Sequence, residues 1–380
     1  MEARRIGVAV MVALLAATAT LQAQRTPTPA LLVLAKSDHT LAIVDPASLK
    51  VVGRVPAGPD PHEVIASPDG RRAYISRQLG SATSRAGARC RQSKPAHKRP
   101  AGATQRKVAS HSNYGFGADH TIAVVDLAAQ KALPRIDLGV LYGPHGLAFA
   151  GGELYFTAEV NEVIGRYNPL SSRVDWVLGA GQMRTHMIEV AKDLDRIFTA
   201  NVNSGTISII EKPAASAGRG RGGSSAEVFW QQTVLKTGVG TEGFDVSPDG
   251  RMLWSAAARD GSISIIDVGE KRIVQTLPAG LRGANRVRFT PDGKYVFISS
   301  LSDAGGGDLA IFDTQTRRQI RRLSLGHGAA GILMQPDGSR AYVACSSDNY
   351  VAVIDLKTLK VIGHIDPGKG PDGMAWAVRR

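Results

Sequence analysis

The chain has 380 residues, of which 43% are hydrophobic, and a formal net charge of +13. This length accommodates two average domains or one large repeat domain, and 42 glycines with 19 prolines favour many turns and short strands over long helices. The two cysteines, Cys90 and Cys345, are too few for a disulfide framework or for a structural zinc site built from thiolates.

The first 23 residues predict an export signal. Arg4 and Arg5 precede an apolar run from Ile6 to Leu21, and a cleavage site with small residues follows at Ala23. Because the run is shorter than the ~20 residues of a membrane-spanning helix, cleavage is favoured over anchoring. We therefore expect a periplasmic or extracellular protein without a membrane span after cleavage. Residues 24–30 are predicted to form a stiff, proline-containing linker.

A β-strand phrase recurs seven times in the rest of the chain, and most copies follow one another at intervals of about 43 residues. Each copy holds β-branched and aliphatic residues and ends on an acidic residue or an asparagine. The copies are Thr40–Asp45, Thr121–Asp126, Val163–Asn168, Thr206–Glu211, Ser262–Asp267, Asp308–Asp313 and Tyr350–Asp355. Three further strands and a Pro-Asp-Gly turn keep the same phase. Four short strands in a repeat of this length are typical of a propeller blade.

The two ends of the chain complete the last repeat. The chain opens with a second strand at Leu31 to Ala35 and closes with a first strand at Asp372 to Val378. One blade must then combine three N-terminal strands with one C-terminal strand, which removes the free sheet edges. The sequence therefore predicts an all-β, seven-bladed β-propeller of four-stranded blades over residues 31–380.

Two segments exceed the repeat length. Residues 77–112 contain nine Lys or Arg, no acidic residue and no aromatic residue, which predicts a disordered basic insert. This insert supplies most of the net charge and lacks aromatic side chains for stacking on bases, so specific nucleic-acid binding is not expected. Residues 213–227, rich in Gly, Ser and Ala, are predicted to form a flexible loop.

The repeat residues carry a resemblance to a known family. The runs Pro68 to Ser76 (Pro-Asp-Gly-Arg-Arg-Ala-Tyr-Ile-Ser), Thr121–Asp126 and Gly205 to Ile210 resemble the YVTN-type repeat of YncE-like exported propeller proteins. The resemblance covers roughly residues 31–380 and implies the propeller fold. Because a biochemical role is generally unassigned in that family, the resemblance leaves the function open.

Polar residues align at one end of the predicted channel. The first strand of each blade lines the channel, and its start lies on the same face as the end of the second strand. The aligned start residues are His62, His145, His186, Glu242, Asn285, Ala330 and Asp372, and the second strands end near Asn113, Glu159, Asn201 and Cys345.

Imidazole and carboxylate groups together favour a divalent transition metal ion. We expect His62, His145, His186 and Glu242 as metal ligands. The expected ligand-binding residues are Asn113, Glu159, Asn201, Asn285 and Asp372. The alternative is that these residues line a water-filled channel and satisfy backbone groups.

Three functions remain open from the sequence. The favoured one is a non-catalytic, monomeric exported module that binds a protein or small-molecule ligand at the channel mouth. The second is a metal-dependent hydrolase or lyase, similar to lactonases, that uses the histidines and Glu242. A quinoprotein-like oxidoreductase is least favoured, because the four tryptophans do not repeat in phase. Apart from the metal ion, no cofactor is expected.

Overall fold

The computed structural model describes residues 25–77, 119–212, 229–301 and 307–379. These residues form 28 β-strands and contain no helix that is long and apolar enough to cross a bilayer. In chain order the strands are β1 Ala30–Ala35, β2 Thr40–Asp45, β3 Lys50–Pro56, β4 Pro61–Ala66, β5 Arg72–Arg77, β6 Thr121–Asp126, β7 Lys131–Asp137, β8 Pro144–Ala150, β9 Glu153–Ala158, β10 Val163–Asn168, β11 Arg173–Gly179, β12 Thr185–Val190, β13 Arg196–Asn201, β14 Thr206–Glu211, β15 Gln231–Lys236, β16 Thr241–Val246, β17 Met252–Ala257, β18 Ser262–Asp267, β19 Arg272–Pro278, β20 Ala284–Phe289, β21 Tyr295–Ser300, β22 Asp308–Asp313, β23 Arg318–Ser324, β24 Ala329–Met334, β25 Arg340–Cys345, β26 Tyr350–Asp355, β27 Lys360–Ile365 and β28 Pro371–Ala377.

The strands form seven antiparallel four-stranded sheets, each of which is one blade. Blades 1 to 6 begin with β4, β8, β12, β16, β20 and β24 in turn and take four consecutive strands each. Blade 7 has the order β28, β1, β2, β3. The first strands of neighbouring blades contact one another around a closed ring. The predicted seven-bladed propeller is confirmed.

Blade 7 closes the ring as the sequence predicted. Strand β1 pairs antiparallel with β28, with Leu31 opposite Trp376, and with β2 on its other side, with Leu31 opposite Val44. Both terminal strands begin one residue earlier than predicted, at Ala30 and Pro371. Closure through paired termini leaves no unpaired inner edge in this blade.

Burial decreases from the middle strands of a blade to its outer strand. The third strand β2 is buried from Leu41 to Val44, because both of its faces pack against neighbouring blades. The fourth strand β11 alternates between exposed and half-buried residues, as expected for an outer edge. Between blades 4 and 5, Trp254 packs edge-to-face against Phe289 and Phe312, with ring centroids 6.3 and 6.1 Å apart.

Close approach between first strands depends on glycine at their third position. A Cβ on Gly146 would lie 2.5 Å from the carbonyl oxygen of His186 in the next blade. Gly243, Gly331 and Gly373 approach the next blade in the same way, each against the carbonyl of the second residue of the neighbouring first strand. The absence of a side chain therefore sets how closely these blades meet around the channel.

Several predicted segments fall outside the described residues, namely the export signal 1–23, the 213–227 loop and nearly all of the 77–112 insert. Arg77, taken from the sequence as the first residue of the insert, is the last residue of β5 and is buried. It forms an ion pair with Asp119 and donates a hydrogen bond to Thr121 at 2.8 Å. In the predicted linker, Thr26 is buried and hydrogen-bonded to the carbonyl of Leu127 in blade 1.

We expect Gly243→Ala to lower the free energy of unfolding by roughly 1–3 kcal/mol, because the added methyl group overlaps the Asn285 carbonyl oxygen. Gly179→Ala is the matched control, since a Cβ there meets no atom within 4 Å. Urea unfolding of both variants measures the difference. Equal stability of the two variants would contradict this account of blade spacing.

Candidate functional site

Seven residues ring one end of the channel, each the second residue of a first strand. They are His62, His145, His186, Glu242, Asn285, Ala330 and Asp372. This end, where first strands begin and second strands end, is called the mouth face below. The ring centroids of His62 and His145 lie 4.5 Å apart, and those of His145 and His186 lie 3.6 Å apart. The structure therefore brings together the three histidines that the repeat alignment grouped.

His186 is fully buried between two carboxylates. Its Nδ1 is hydrogen-bonded to Glu159 Oε1, and its Nε2 lies 3.5 Å from Glu242 Oε1. Burial favours the neutral ring, but the charges of Glu159 and Glu242 outweigh burial and raise the pKa of His186. Burial also opposes ionisation of Glu242, yet the close approach of the His186 ring and its charge lower the pKa of Glu242 to about 2.

His62 has a cationic partner instead. Lys36 Nζ lies 2.6 Å from His62 Nδ1, and Asp372 Oδ2 lies 3.4 Å from the same nitrogen. Burial, together with the charges of Lys36 and Arg286, lowers the pKa of His62 well below its ordinary value. Because an ammonium group only donates, Nδ1 accepts this hydrogen bond, and the proton of the neutral ring lies on Nε2.

His145 lies between the other two rings and is 1% exposed. Neither of its ring nitrogens has a hydrogen-bond partner among the described residues. Burial, together with the charges of His186 and His62, lowers the pKa of His145 well below its ordinary value. The ring is therefore neutral at physiological pH, with a lone pair that no described residue engages.

Two sets of three donors have ligand atoms within 4.8 Å of one another. They are His62, Glu63 and His145, and His145, Glu159 and His186. His145 belongs to both sets. Glu242, expected from the sequence as a fourth ligand, belongs to neither of these sets in the described residues. It lies beside His186 and accepts a 2.7 Å hydrogen bond from Asn285 Nδ2.

The other candidates at the ends of second strands have different surroundings. Asn201 is buried and donates hydrogen bonds to Thr206 at 3.1 Å and Ser208 at 3.0 Å, which ties together β13 and β14. Cys345 lies in an apolar core cluster, where burial raises the pKa of its thiol to about 11. Asn113 lies outside the described residues.

The floor of the site is a charged pair that the sequence reasoning missed. Arg286 of blade 5 crosses the channel to form an ion pair with Glu63 of blade 1, and its Nη1 lies 2.8 Å from Met187 Sδ of blade 3. A cavity of about 30 Å³ lies in this part of the channel, which is room for very few water molecules. The sequence contained a signal for this group. The strand position that is glycine in four blades is occupied in the other three by Glu63, Met187 and Arg286.

A second charged group, of which only Asp245 is buried, lies farther along the same strands, away from the mouth face. Arg288 Nη1 donates to Asp245 Oδ1 at 2.7 Å, and the backbone N–H of Phe289 donates to Asp245 Oδ2 at 2.7 Å. Burial and the charge of Asp245 raise the pKa of the neighbouring Glu189 to about 8. Glu189 is therefore largely protonated at neutral pH, while Arg288 compensates the charge of Asp245.

The comparisons with known proteins support the fold. No protein-family model matches the chain, and no curated protein matches its sequence significantly. A functionally unknown protein of Desulfotomaculum acetoxidans shares 10% identity over 93% of this chain and 100% of its own, with a TM-score of 0.65. A provisionally named 6-phosphogluconolactonase of Bacteroides uniformis shares 14% identity over 92% of this chain and 99% of its own, with a TM-score of 0.64. Hydrazine synthase of Kuenenia stuttgartiensis shares 16% identity over 83% of this chain and 89% of its own, with a TM-score of 0.59. Likeness at such identities shows the propeller fold alone.

The lowered pKa of His145 predicts a contribution to stability that is lost in acid, to be measured in EDTA. The unfolded chain protonates His145 near pH ~6.5 and the folded protein does not, so the free energy of unfolding falls as pH is lowered below that value. In wild type, His145 should lower the free energy of unfolding by up to ~1.4 kcal/mol for each pH unit below that value. His145→Leu should lack this decrease, as measured by urea unfolding at pH 7.5, 6 and 5. His364→Leu, at an exposed position of β27, should keep the wild-type slope. If the free energy of unfolding of His145→Leu depends on pH as strongly as that of wild type, the lowered pKa of His145 is wrong.

Proposed function

We propose that this protein is an exported binding propeller, similar to YncE-like proteins with YVTN-type repeats, whose mouth face holds a divalent transition metal ion. The ion and the surrounding polar ring would bind a small-molecule or protein ligand. Export rests on the N-terminal sequence, and the family on the repeat phrases. The metal site rests on the arrangement of the histidines.

The observation that carries the metal site is His145. A buried imidazole without a hydrogen-bond partner loses its hydration and gains nothing in return, at a cost of about 1–3 kcal/mol. A metal ion would supply the missing interaction, and the low pKa of His145 keeps the ring in the neutral form that binds metals. Its place in both donor sets gives it neighbouring ligands on either side.

His186 is arranged as metal-binding histidines usually are. Such histidines commonly donate one ring N–H to a carboxylate, which fixes the orientation of the ring and leaves the other nitrogen for the ion. Glu159 is that carboxylate here, since it is 3% exposed and bonded to Nδ1. Nε2 of His186 is buried and lacks a well-formed hydrogen bond, so it is available as a ligand after loss of its proton. Imidazole with carboxylate favours zinc, copper, nickel or iron.

A metal-dependent hydrolase is the second candidate, and Glu242 is the observation in its favour. With a pKa of about 2 this carboxylate is ionised at neutral pH, and its side chain is 21% exposed beside His186. A carboxylate next to a metal ion could accept a proton from an attacking water molecule. Two structural neighbours bear the provisional name 6-phosphogluconolactonase, which makes lactones the first substrates to test.

The purified protein, loaded with zinc and desalted at pH 7.5, should retain one metal ion per chain by elemental analysis. His145→Ala and His186→Ala should each reduce zinc affinity at least ~10-fold without loss of the fold. His327→Ala is the matched control, because this histidine lies on the mouth face but is exposed and paired with Asp348. Zinc should leave as the pH falls, because ligation requires deprotonated imidazole and the raised pKa of His186 favours its protonation before that of His145. Wild-type protein that retains no zinc, copper, nickel or iron would end the metal proposal.

The hydrolase alternative has its own test. Zinc-loaded protein is assayed with δ-gluconolactone, and Glu242→Gln should lower kcat by ~100-fold or more at unchanged zinc content if Glu242 is the base. Asn285→Ala removes a neighbour of Glu242 but not its carboxylate, so its effect should be smaller. No hydrolysis by the zinc-loaded wild type above the uncatalysed rate would reject this candidate and leave the binding function.

A further inference from the structure

Two groups of three residues occupy equivalent places on the mouth face. Each has one residue just after a second strand, one just before the first strand of the next blade, and one histidine at the second position of that strand. The groups are Lys36, Asp60 and His62 between blades 7 and 1, and Glu159, Arg184 and His186 between blades 2 and 3. The backbone confirms the equivalence, because Lys36 N–H donates to the Gly370 carbonyl and Glu159 N–H to the Gly143 carbonyl, both at 2.9 Å.

Two members of these groups depart from a rule that the other blades follow. The residue before each of the seven first strands has a positive φ, and five of these residues are Gly143, Gly240, Gly283, Gly328 and Gly370. The exceptions are Asp60 with φ 48° and Arg184 with φ 58°. Side chains are strained in this conformation. Ten other described non-glycine residues also adopt it, so what distinguishes Asp60 and Arg184 is that the equivalent residues of the other five blades are glycine. The backbone role is unchanged, since the Arg184 carbonyl accepts from Val202 N–H at 3.0 Å as its glycine counterparts do in their blades.

The charges of the two groups are reversed, and each non-glycine residue pairs with the charged partner of its histidine. Lys36 lies 3.6 Å from Asp60 and donates to His62 Nδ1 at 2.6 Å. Glu159 accepts from Arg184 Nε at 3.3 Å and is bonded to His186 Nδ1. A cation that donates to Nδ1 leaves the ring proton on Nε2, whereas an anion that accepts from Nδ1 leaves the Nε2 lone pair free in the neutral ring.

We infer that the two groups fix opposite tautomers in His62 and His186, so that the mouth binds a small carboxylate between a metal ion on His145 and His186 and the Nε2–H of His62. The carboxylate part of this inference rests on the proposed metal site. In it, His186 Nε2 serves as a metal ligand, while His62 Nε2–H donates to an oxygen of the bound anion. Among the described residues, none is hydrogen-bonded to His62 Nε2, so this N–H is available to the anion.

The surroundings fit a small anion that enters from the mouth. Three cationic side chains, those of Lys36, Arg184 and Arg286, lie close enough to influence the histidines electrostatically, and each of them is paired with a carboxylate. A metal ion would add positive charge to this group, and an oxygen ligand with negative charge would complete its coordination. Below the histidines, the Arg286–Glu63 pair and the cavity of about 30 Å³ leave no room for a larger ligand to pass.

The tautomers are tested first on metal-free protein, independently of the metal proposal. Long-range ¹H–¹⁵N spectra recorded over a series of rising pH should show His62 with its proton on Nε2 and, once His186 has become neutral, the remaining proton of His186 on Nδ1. The double variant Lys36→Glu, Asp60→Arg keeps the net charge and copies the signs of the Glu159 group, so it should move the His62 proton to Nδ1. Lys369→Met, at an exposed lysine near the mouth, should change neither ring.

The same tautomer on His62 and His186 in the wild type, or an unmoved His62 proton in a folded double variant, would overturn the inference. If the double variant does not fold, Lys36→Met takes its place, and the fixed Nε2–H population of His62 should then give way to a tautomer mixture. A His62 signal unchanged by Lys36→Met would likewise overturn the assigned role of Lys36.

The ligand is tested on zinc-loaded protein by calorimetric titration with acetate. Wild type should bind acetate, and the double variant should bind it at least ~10-fold more weakly at unchanged zinc content. Zinc retention without acetate binding would overturn the carboxylate assignment and leave the metal site standing. Failure to retain zinc would instead reject the metal site itself. Inorganic phosphate is titrated in parallel, and tighter binding of phosphate than of acetate would also reject the carboxylate assignment.

Discussion

The close contact between first strands is the constraint on which the site depends. Where the third residue of a first strand is glycine, it lets the next blade approach until its backbone lies against the backbone of that strand. Side-chain hydroxyls from second strands also bridge neighbouring blades. Thr157 accepts from Gly146 N–H at 2.9 Å and donates to the His186 carbonyl at 2.7 Å, and Ser299 donates to the Ala330 carbonyl at 2.7 Å. At the four glycine junctions, the positions of the mouth residues are therefore set by backbone packing before their side chains interact.

Because the backbone positions the mouth residues, the fold and much of the site could be predicted from the sequence. The strand phrases, the Pro-Asp-Gly turns and the incomplete terminal repeats follow from local propensity and spacing, so blade number, closure and the grouping of His62, His145 and His186 were all accessible. The aligned position also placed Glu242 correctly in the ring. It did not reveal that Glu242 pairs with His186 and Asn285, because one residue per blade defines a ring but does not give the direction in which each side chain extends.

What the sequence did not give is the set of partners that determines the protonation of each histidine. Lys36 and Glu159 follow second strands, while Asp60 and Arg184 precede first strands, so each group is assembled across a blade junction from two separated parts of the chain. The opposite charges of Lys36 and Glu159 can be recognised as equivalent only when the two blade junctions are compared in the structure. One sign was nonetheless visible, since Asp60 and Arg184 stand where the aligned repeats otherwise have glycine.

Burial of three histidines and several charges at one place is costly, and only a rigid scaffold holds them there. In a chain with a free edge, blades could separate slightly and hydrate His145, which would remove the reason for a metal ion to bind. Because β28 pairs with β1, such separation would require breaking a closed ring of strand contacts. Ring closure therefore keeps the His145 nitrogens dry, and the arginine–glutamate pair below them leaves the mouth as the route of access. The strain at Asp60 and Arg184 is tolerated for the same reason, since the ring fixes the backbone whichever residue occupies the turn.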